Sequence, residues 1–221
     1  MCKVLAGEWS RRQFVAGLGA AAWSGSAAFA QSGMTADAAM RELTEGNARF
    51  VAGKITSFVE DLEILKAKTV SSQEPFAAVL SCADSRVPVE IIFDQSINHI
   101  FVCRVAGNVV TPEIMASMEY GVAVLGIKAI LVMGHTNCGA ISAAVHGKEV
   151  PGQISALYQH LMPGTQDANG DVGKAVGLNA AFQARLLRES STVIAKAVKE
   201  NKVKVGAGVY DLGTGRVASV G

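Results

Sequence analysis

Two short motifs that lie far apart in the chain carry side chains able to bind a metal ion. The first, C-A-D-S-R, contains Cys82, Asp84 and Arg86, and the second, H-T-N-C-G, places His135 three residues before Cys138. One imidazole and two thiolates form a borderline-soft ligand set that suits zinc in a tetrahedral site. We therefore predict that Cys82, His135 and Cys138 bind zinc and leave a fourth position for water or a carboxylate.

Asp84 is the candidate for that fourth position, because it lies two residues after Cys82. Arg86 follows two residues later, and a guanidinium can hold a carboxylate by two parallel hydrogen bonds. The motif thus predicts two states. With Asp84 held by Arg86, the fourth position is free for water, and with Asp84 on the metal, it is closed.

Simpler interpretations of the same residues stay open. A lone H-x-x-C pattern more often belongs to a loop histidine and a buried thiol. Cys82 and Cys138 could form a disulfide in an oxidising compartment, and the four residues could also form a closed structural zinc site. The long separation between Cys82 and His135 disfavours a zinc finger or ribbon, whose ligand pairs lie much closer together. An aspartate ligand disfavours a purely structural site.

Three continuous apolar runs precede these chemical groups and must position them: 76–80, 100–105 and 129–133. Continuous apolar runs are typical of strands covered on both faces, as in a parallel sheet. Reactive groups gather at the carboxyl ends of such strands. The residues just beyond the three runs, Cys82, Gly107 and His135, are therefore expected to converge.

Helical patterns alternate with these runs. Between Thr35 and about Glu74 two apolar stripes predict helices that pack onto another element. A helix is also predicted over 111–125, with Thr111 as its cap and Pro112 at its first position, and another from Leu178 to Glu200. A last strand is predicted over 204–212, followed by a turn at 213–215, while 152–173 is predicted as loop with a short helix. The fold class is therefore α/β, with a mostly parallel central sheet flanked by helices.

The first thirty residues are typical of a signal peptide. S-R-R-x-F at 10–14 resembles the twin-arginine type, an apolar run extends from Val15 to about Ala28, and Ala28 and Ala30 are small residues suited to a cleavage site. The run is too short and too rich in glycine and alanine for a permanent membrane anchor. We expect export to the periplasm, removal of the leader near Ala30 and one domain over 31–221. A general secretory leader is the alternative.

The balance of charge gives no sign of a nucleic-acid partner. The formal net charge is +1, half of the residues are apolar, and the four cysteines are too scattered for a disulfide framework. The chain is also too short for two ordinary domains beyond its leader.

The motifs together closely resemble the β-class carbonic anhydrases. The matching segments are C-A-D-S-R-V-P at 82–88, F-V-C-R-V-A-G-N at 101–108, M-E-Y-G-V at 118–122 and G-H-T-N-C-G at 134–139, with weaker matches at 45–50 and 208–212. The resemblance implies an enzyme with one Zn²⁺ per subunit. Such an enzyme hydrates carbon dioxide reversibly to bicarbonate and a proton by zinc-bound hydroxide.

The resemblance also implies roles for single residues. Cys82, His135 and Cys138 would be the permanent zinc ligands, and Asp84 the switchable fourth ligand, which orients the hydroxide while Arg86 holds it. The substrate pocket would be formed by Gln73, Phe101, Ala106, Gly107, Tyr120 and Gly139.

A subdivision of the family is also implied by the sequence. A-G-N at 106–108 and a valine at position 79 match the members that lack an extra inhibitory bicarbonate site, although Arg104 and Tyr210 match two residues of that site. The family usually forms dimers or larger even assemblies, with the pocket at the subunit interface. At least a homodimer is therefore expected.

Two rival functions remain open at this point. A related zinc hydrolase of carbon disulfide or carbonyl sulfide would use nearly the same zinc chemistry. A catalytically silent member that serves as a binding protein would be expected to lack Asp84 or Arg86, and both are present.

Overall fold

The structure is a computed structural model that describes residues 33–57 and 69–221. The predicted leader and residues 58–68 of the region predicted as helices lie outside these residues. The strands of the sheet are β1 (Ala77–Ser81), β2 (Ile100–Arg104), β3 (Ala129–His135), β4 (Lys204–Tyr210) and β5 (Val217–Ser219). Their order is β2-β1-β3-β4-β5, with β1 to β4 parallel and β5 antiparallel to β4. The predicted mostly parallel α/β fold is confirmed.

The register of the sheet brings the ends of three strands together. Ser81 at the end of β1 pairs with Arg104 on one side and with Met133 on the other. All residues of β1 and β3 are buried, as expected for strands covered on both faces. Cys82 therefore leaves β1 at the same edge at which His135 ends β3.

The first described helix, α1 (Ala36–Val51), begins where the sequence predicts. The Thr35 side chain accepts a hydrogen bond from the backbone of residue 38 and caps it. The second apolar stripe of this region lies outside the described residues, and the predicted limit near residue 74 is too far along the chain. The helix stops just before Gly53, which has a φ of 66°, a conformation that favours glycine and ends helices, and 71–75 contain no helix.

Helix α1 packs on one face of the sheet, and the opposite face is covered by helices from the second half of the chain. They include α3 (Pro112–Ala123), α6 (Val172–Ser190) and α7 (Thr192–Lys199), whose side chains share one core with the sheet. The single helix predicted over 178–200 is therefore two. Ser191 separates them, because its hydroxyl accepts a hydrogen bond from the backbone of residue 194 and caps α7.

Short helices connect these layers: α2 (Val89–Ile92), α4 (Gly139–Val145), α5 (Tyr158–Thr165), and 3₁₀ helices at Gly152–Leu157 and Gln166–Ala168. The stretch at 152–173 is thus more helical than predicted. Thr111 caps α3 with Pro112 at its start, which confirms that prediction. Within the described ranges, no helix combines the length and the apolar character that a membrane crossing needs.

Candidate metal centre

Three predicted ligands lie together beyond the ends of β1 and β3. Cys82 follows β1, His135 is the last residue of β3, and Cys138 precedes the first residue of α4. Their ligand atoms all lie within 4.8 Å of one another, and all three residues are buried. The thiols are free, so the disulfide alternative is not the state of this structure. The arrangement brings one nitrogen and two sulfurs to one point.

The ring of His135 is oriented for metal binding. Its Nδ1 lies 2.9 Å from the carbonyl oxygen of Thr136, and because a carbonyl only accepts, Nδ1 carries the proton and Nε2 presents a lone pair. Nε2 is buried and has no hydrogen-bond partner. Thr136 is fixed in turn, since its backbone N–H donates to the carbonyl of Tyr210 at 2.9 Å. A buried nitrogen without a partner, facing two sulfurs, fits a zinc ion.

The two thiols share a proton unequally. A hydrogen bond from Cys138 is the largest cause that lowers the pKa of Cys82 below its usual range. The nearby His135 ring and the Gly107 amide, 3.3 Å from the Cys82 sulfur, lower it further, and together they outweigh burial. The hydrogen bond to Cys82, together with burial and the charge of Cys82, raises the pKa of Cys138. Cysteine binds zinc as the thiolate, so the lowered pKa of Cys82 favours metal binding at this group.

Asp84 lies beside this group and is held by Arg86. Nε of Arg86 donates to Oδ1 of Asp84 at 2.9 Å, Nη2 donates to Oδ2 at 2.7 Å, and the Arg86 backbone N–H donates to Oδ1 at 3.0 Å. Oδ2 also lies 3.8 Å from Nε2 of His135. The hydrogen bonds from Arg86 hold the pKa of Asp84 far below its usual range. Of the two predicted arrangements, the structure has the carboxylate on the guanidinium.

Arg104 braces the loop that carries these groups, a role that its sequence position did not indicate. Its Nε donates to the carbonyl of Cys82 at 3.0 Å, and its Nη2 donates to the carbonyl of Asp84 at 2.5 Å. Because Arg104 ends β2, this contact follows from the pairing of β1 with β2. The arginine therefore fixes the backbone between a predicted ligand and the predicted acceptor.

The residues predicted to line the substrate pocket are less completely assembled. The rings of Phe101 and Tyr120 contact each other with centroids 6.3 Å apart, and Tyr120 is 45% exposed. The side chain of Gln73 is exposed and has no hydrogen bond to another residue that the structure describes. Ala106 is half-buried, and a side chain at Gly139 would meet open space. The described chain brings the metal ligands together but leaves the pocket wall open.

A groove elsewhere on the molecule is distinct from this site. It has a volume of about 640 Å³, and its lining includes Met40 of α1, Leu131 of β3 and Gly206 of β4. None of the predicted site residues lines it. The chemistry indicated by the sequence therefore does not lie in this groove.

A pair of amides in α6 was missed by the sequence analysis. Asn179 and Gln183 are fully buried within an otherwise apolar face of the helix. Asn179 donates to the carbonyl of Gly107 at 2.9 Å. Two amides four residues apart on a buried helical face are the signal that could have revealed them, because such groups need specific partners.

A buried Cys-His-Cys group at the carboxyl edge of a mostly parallel sheet defines an α/β protein with an open metal centre. A family model described as carbonic anhydrase matches residues 77–217, which is more than half of the chain. A carbonic anhydrase of Mycolicibacterium smegmatis is 35% identical over 193 residues, covering 81% of this chain and 91% of that protein. Carbonic anhydrase 2 of Mycobacterium tuberculosis is 33% identical over 187 residues, with 81% and 90% covered.

Solved structures agree with this assignment. The β-carbonic anhydrase of Coccomyxa, in complex with acetazolamide, superposes with a TM-score of 0.63 at 28% identity, over 79% of this chain and 83% of that chain. A second matching structure belongs to a description of two tetrameric β-carbonic anhydrases of Sordaria macrospora. It superposes with a TM-score of 0.66 at 23% identity and covers 82% of this chain and 96% of that chain. The chain belongs to the β class of the carbonic anhydrase family.

Proposed function

We propose that the protein catalyses the reversible hydration of carbon dioxide to bicarbonate and a proton at a zinc ion held by Cys82, His135 and Cys138. The observation that carries this proposal is the unpartnered, buried Nε2 of His135 beside two free thiols. Asp84 adds to it, because a carboxylate held 3.8 Å from that nitrogen lies next to the metal position and leaves a fourth ligand site free.

Zinc in such a site lowers the pKa of a bound water to about 7, so that a hydroxide nucleophile is available near neutral pH. The protein's own contribution is to orient the groups around it. The hydrogen bonds from Arg86 lower the pKa of Asp84, so at neutral pH the carboxylate is ionised and its Oδ2 is an acceptor. The carboxylate would accept a hydrogen bond from the attacking oxygen. This bond would direct a lone pair of the attacking oxygen at the substrate carbon. Asp84 and Arg86 are thus the proposed catalytic pair.

The proposed pocket for carbon dioxide combines apolar walls with polar groups at its edge. Phe101, Ala106 and Tyr120 would form the apolar wall, and the tilted ring pair supports that role. Gln73 would polarise a substrate oxygen, and the backbone near Gly107 and Gly139 would face the bound anion. These assignments rest on the sequence motifs.

We further propose that the active enzyme is a homodimer or a larger even assembly. The exposure of Tyr120 and Gln73 supports this, because a partner subunit would cover the side of the pocket that one chain leaves open. The Sordaria macrospora relatives are described as tetrameric. Light scattering coupled to size-exclusion chromatography tests the proposal, and a monomer with full activity would contradict it.

The proposed location is the periplasm, after removal of residues 1–30 as a leader of the twin-arginine type. The paired arginines of S-R-R-x-F and the apolar run that follows support it. Replacement of Arg11 and Arg12 together by lysine should retain the protein in the cytoplasm of an expressing bacterium, as measured by cell fractionation. Unchanged export would favour the general secretory route.

We also propose that the enzyme lacks the extra inhibitory bicarbonate site. Val79 is a buried residue of β1, and Arg104 is engaged by the carbonyls of Cys82 and Asp84. Added bicarbonate should therefore inhibit hydration only by product binding at the active site.

Stopped-flow measurement of carbon dioxide hydration tests the main proposal. Zinc-loaded protein should accelerate the reaction, removal of zinc by a chelator should abolish the acceleration, and zinc should restore it. Carbon disulfide and carbonyl sulfide are assayed in parallel. Hydrolysis of either compound without carbon dioxide hydration would favour the hydrolase, and a zinc-loaded protein inactive on all three substrates would favour the silent family member.

A further inference from the structure

The two buried amides of α6 are close to the metal centre without belonging to it. Asn179 and Gln183 are fully buried one helical turn apart, and Nε2 of Gln183 donates to Oδ1 of Asn179 at 3.2 Å. Burial of a primary amide is unfavourable unless its polar atoms are paired. The partners of these amides therefore indicate what they do.

Both amides bind the backbone of the loop that follows β2. Nδ2 of Asn179 donates to the carbonyl of Gly107 at 2.9 Å. Oε1 of Gln183 accepts from the backbone N–H of Val110 at 2.9 Å, and its Nε2 also donates to the carbonyl of His160 at 2.9 Å. The pair thus fixes the loop at Gly107 and again at Val110.

The conformation of this loop decides whether Gly107 contacts a metal ligand. The N–H of Asn108 donates to the carbonyl of Val105 at 2.9 Å, and Gly107, the third residue of the turn, has a φ of 76°. These features define a type II turn. In the alternative type I turn, the peptide group between Ala106 and Gly107 is rotated by about 180°, and φ of Gly107 is negative. This rotation would turn the Gly107 N–H away from the Cys82 sulfur, to which it now donates at 3.3 Å.

We propose that Asn179 is a positioning residue for the metal centre and that Gln183 orients it. By holding the carbonyl of Gly107, Asn179 fixes the position of the residue whose N–H donates to the sulfur of Cys82. Hydrogen bonds to ligand atoms fix their direction and their basicity, and loss of such outer contacts lowers metal affinity about 10- to 100-fold. The inference rests on the proposed zinc site.

The test compares two asparagine substitutions in the full-length, zinc-loaded protein. Asn179→Ala removes the bond to Gly107. Asn47→Ala is the matched control, because Asn47 is also buried and donates to the carbonyls of Ile92 at 3.1 Å and Gly215 at 2.9 Å, which are not part of the metal centre. The readouts are the rate at which dipicolinate removes zinc and the thiolate-to-cobalt charge-transfer absorption after cobalt substitution.

Asn179→Ala should release zinc about tenfold faster and shift the cobalt absorption, whereas Asn47→Ala should lower the melting temperature and leave both metal readouts unchanged. The inference would be overturned if Asn179→Ala released zinc at the wild-type rate with an unchanged cobalt absorption. It would also be overturned if Asn47→Ala changed both metal readouts as much as Asn179→Ala. If Asn179→Ala is insoluble, Asn179→Ser is judged by the same criteria, since its hydroxyl is too short to reach Gly107. Failure of the wild type to bind zinc would instead contradict the proposed function.

Discussion

Asp84 is bound by Arg86 through two side-chain hydrogen bonds and one backbone hydrogen bond, at distances of 2.7 to 3.0 Å. A bidentate contact of this kind fixes the plane of the carboxylate as well as its charge. Oδ2, which accepts from Nη2, is also the oxygen that lies 3.8 Å from His135. The contact therefore directs the acceptor at the metal position.

Asp84→Asn should reduce the rate of carbon dioxide hydration about 100-fold or more while the zinc content stays unchanged. An amide retains the size of the carboxylate but supplies only a neutral oxygen, and its NH₂ group would meet the donors of Arg86. Stopped-flow kinetics and metal analysis on the same preparation measure both quantities. Asp167→Asn, which changes an exposed carboxylate, is the control. Full turnover in Asp84→Asn would exclude the role proposed for the residue.

Cys138→Ser should lose zinc after dialysis, because a serine hydroxyl does not replace a thiolate ligand. Cys103→Ser provides the matched control, since Cys103 is also a buried free thiol but lies in β2 outside the ligand group. Metal analysis should give about one zinc per chain for the wild type and for Cys103→Ser. Retention of zinc by Cys138→Ser would show that the metal is held elsewhere.

Asp94→Asn should lower the free energy of unfolding by roughly 2 kcal/mol near pH 7. The buried carboxylate accepts from Arg49 at 2.5 Å and from the backbone N–H groups of Thr56 at 2.7 Å and Ser57 at 3.0 Å. Burial alone would raise the pKa of Asp94, but these hydrogen bonds outweigh it and lower the pKa to about 2.

The pH dependence of this difference has a definite sign. Because the pKa of Asp94 is lower in the folded state, its stabilisation is complete above the pKa of the unfolded chain, near 4, and is lost as the pH falls towards about 2. Urea unfolding from pH 7 to pH 3 measures the difference in the free energy of unfolding between the wild type and Asp94→Asn. This difference should become smaller below about pH 4. A difference that is constant over this range would contradict the assignment.

Ser191→Ala should destabilise the protein by about 1 to 2 kcal/mol. Its hydroxyl caps α7 by accepting from the N–H of Ile194 at 3.0 Å and donates to Glu119 of α3 at 2.6 Å. Ser190→Ala changes the neighbouring, exposed serine and should have little effect. Urea denaturation compares the two variants, and equal stabilities would argue against the cap.

Local patterns were sufficient to predict several elements of the fold. The apolar runs before Cys82 and His135 are strands, because residues buried on both faces of a sheet must be apolar along their whole length. Helix ends were predicted less well. Ser191 splits one predicted helix, since apolar periodicity continues through the cap, and the helical region predicted up to about Glu74 extends too far, because 71–75 contain no helix.

Contacts between distant segments could not be predicted in the same way. Arg104 binds the carbonyls of Cys82 and Asp84 because the register of β1 and β2 brings it there. The amide of Asn179 reaches Gly107 across 72 residues of sequence. Neither contact produces a periodic pattern in the sequence, because each depends on single side-chain and backbone atoms.

The sequence by itself predicted the candidate metal ligands and the acidic residue beside them from residue type and spacing, and it predicted the family because several motifs match together in order. The tertiary structure alone decided that Asp84 is bound to Arg86 and that Nε2 of His135 is the nitrogen left free. It also revealed that α6 holds the loop around Gly107. The contact of Asn179 with Gly107 joins segments 72 residues apart that only the packed fold brings together, and the contacts of Asp84 and His135 depend on local conformations that residue type alone does not specify.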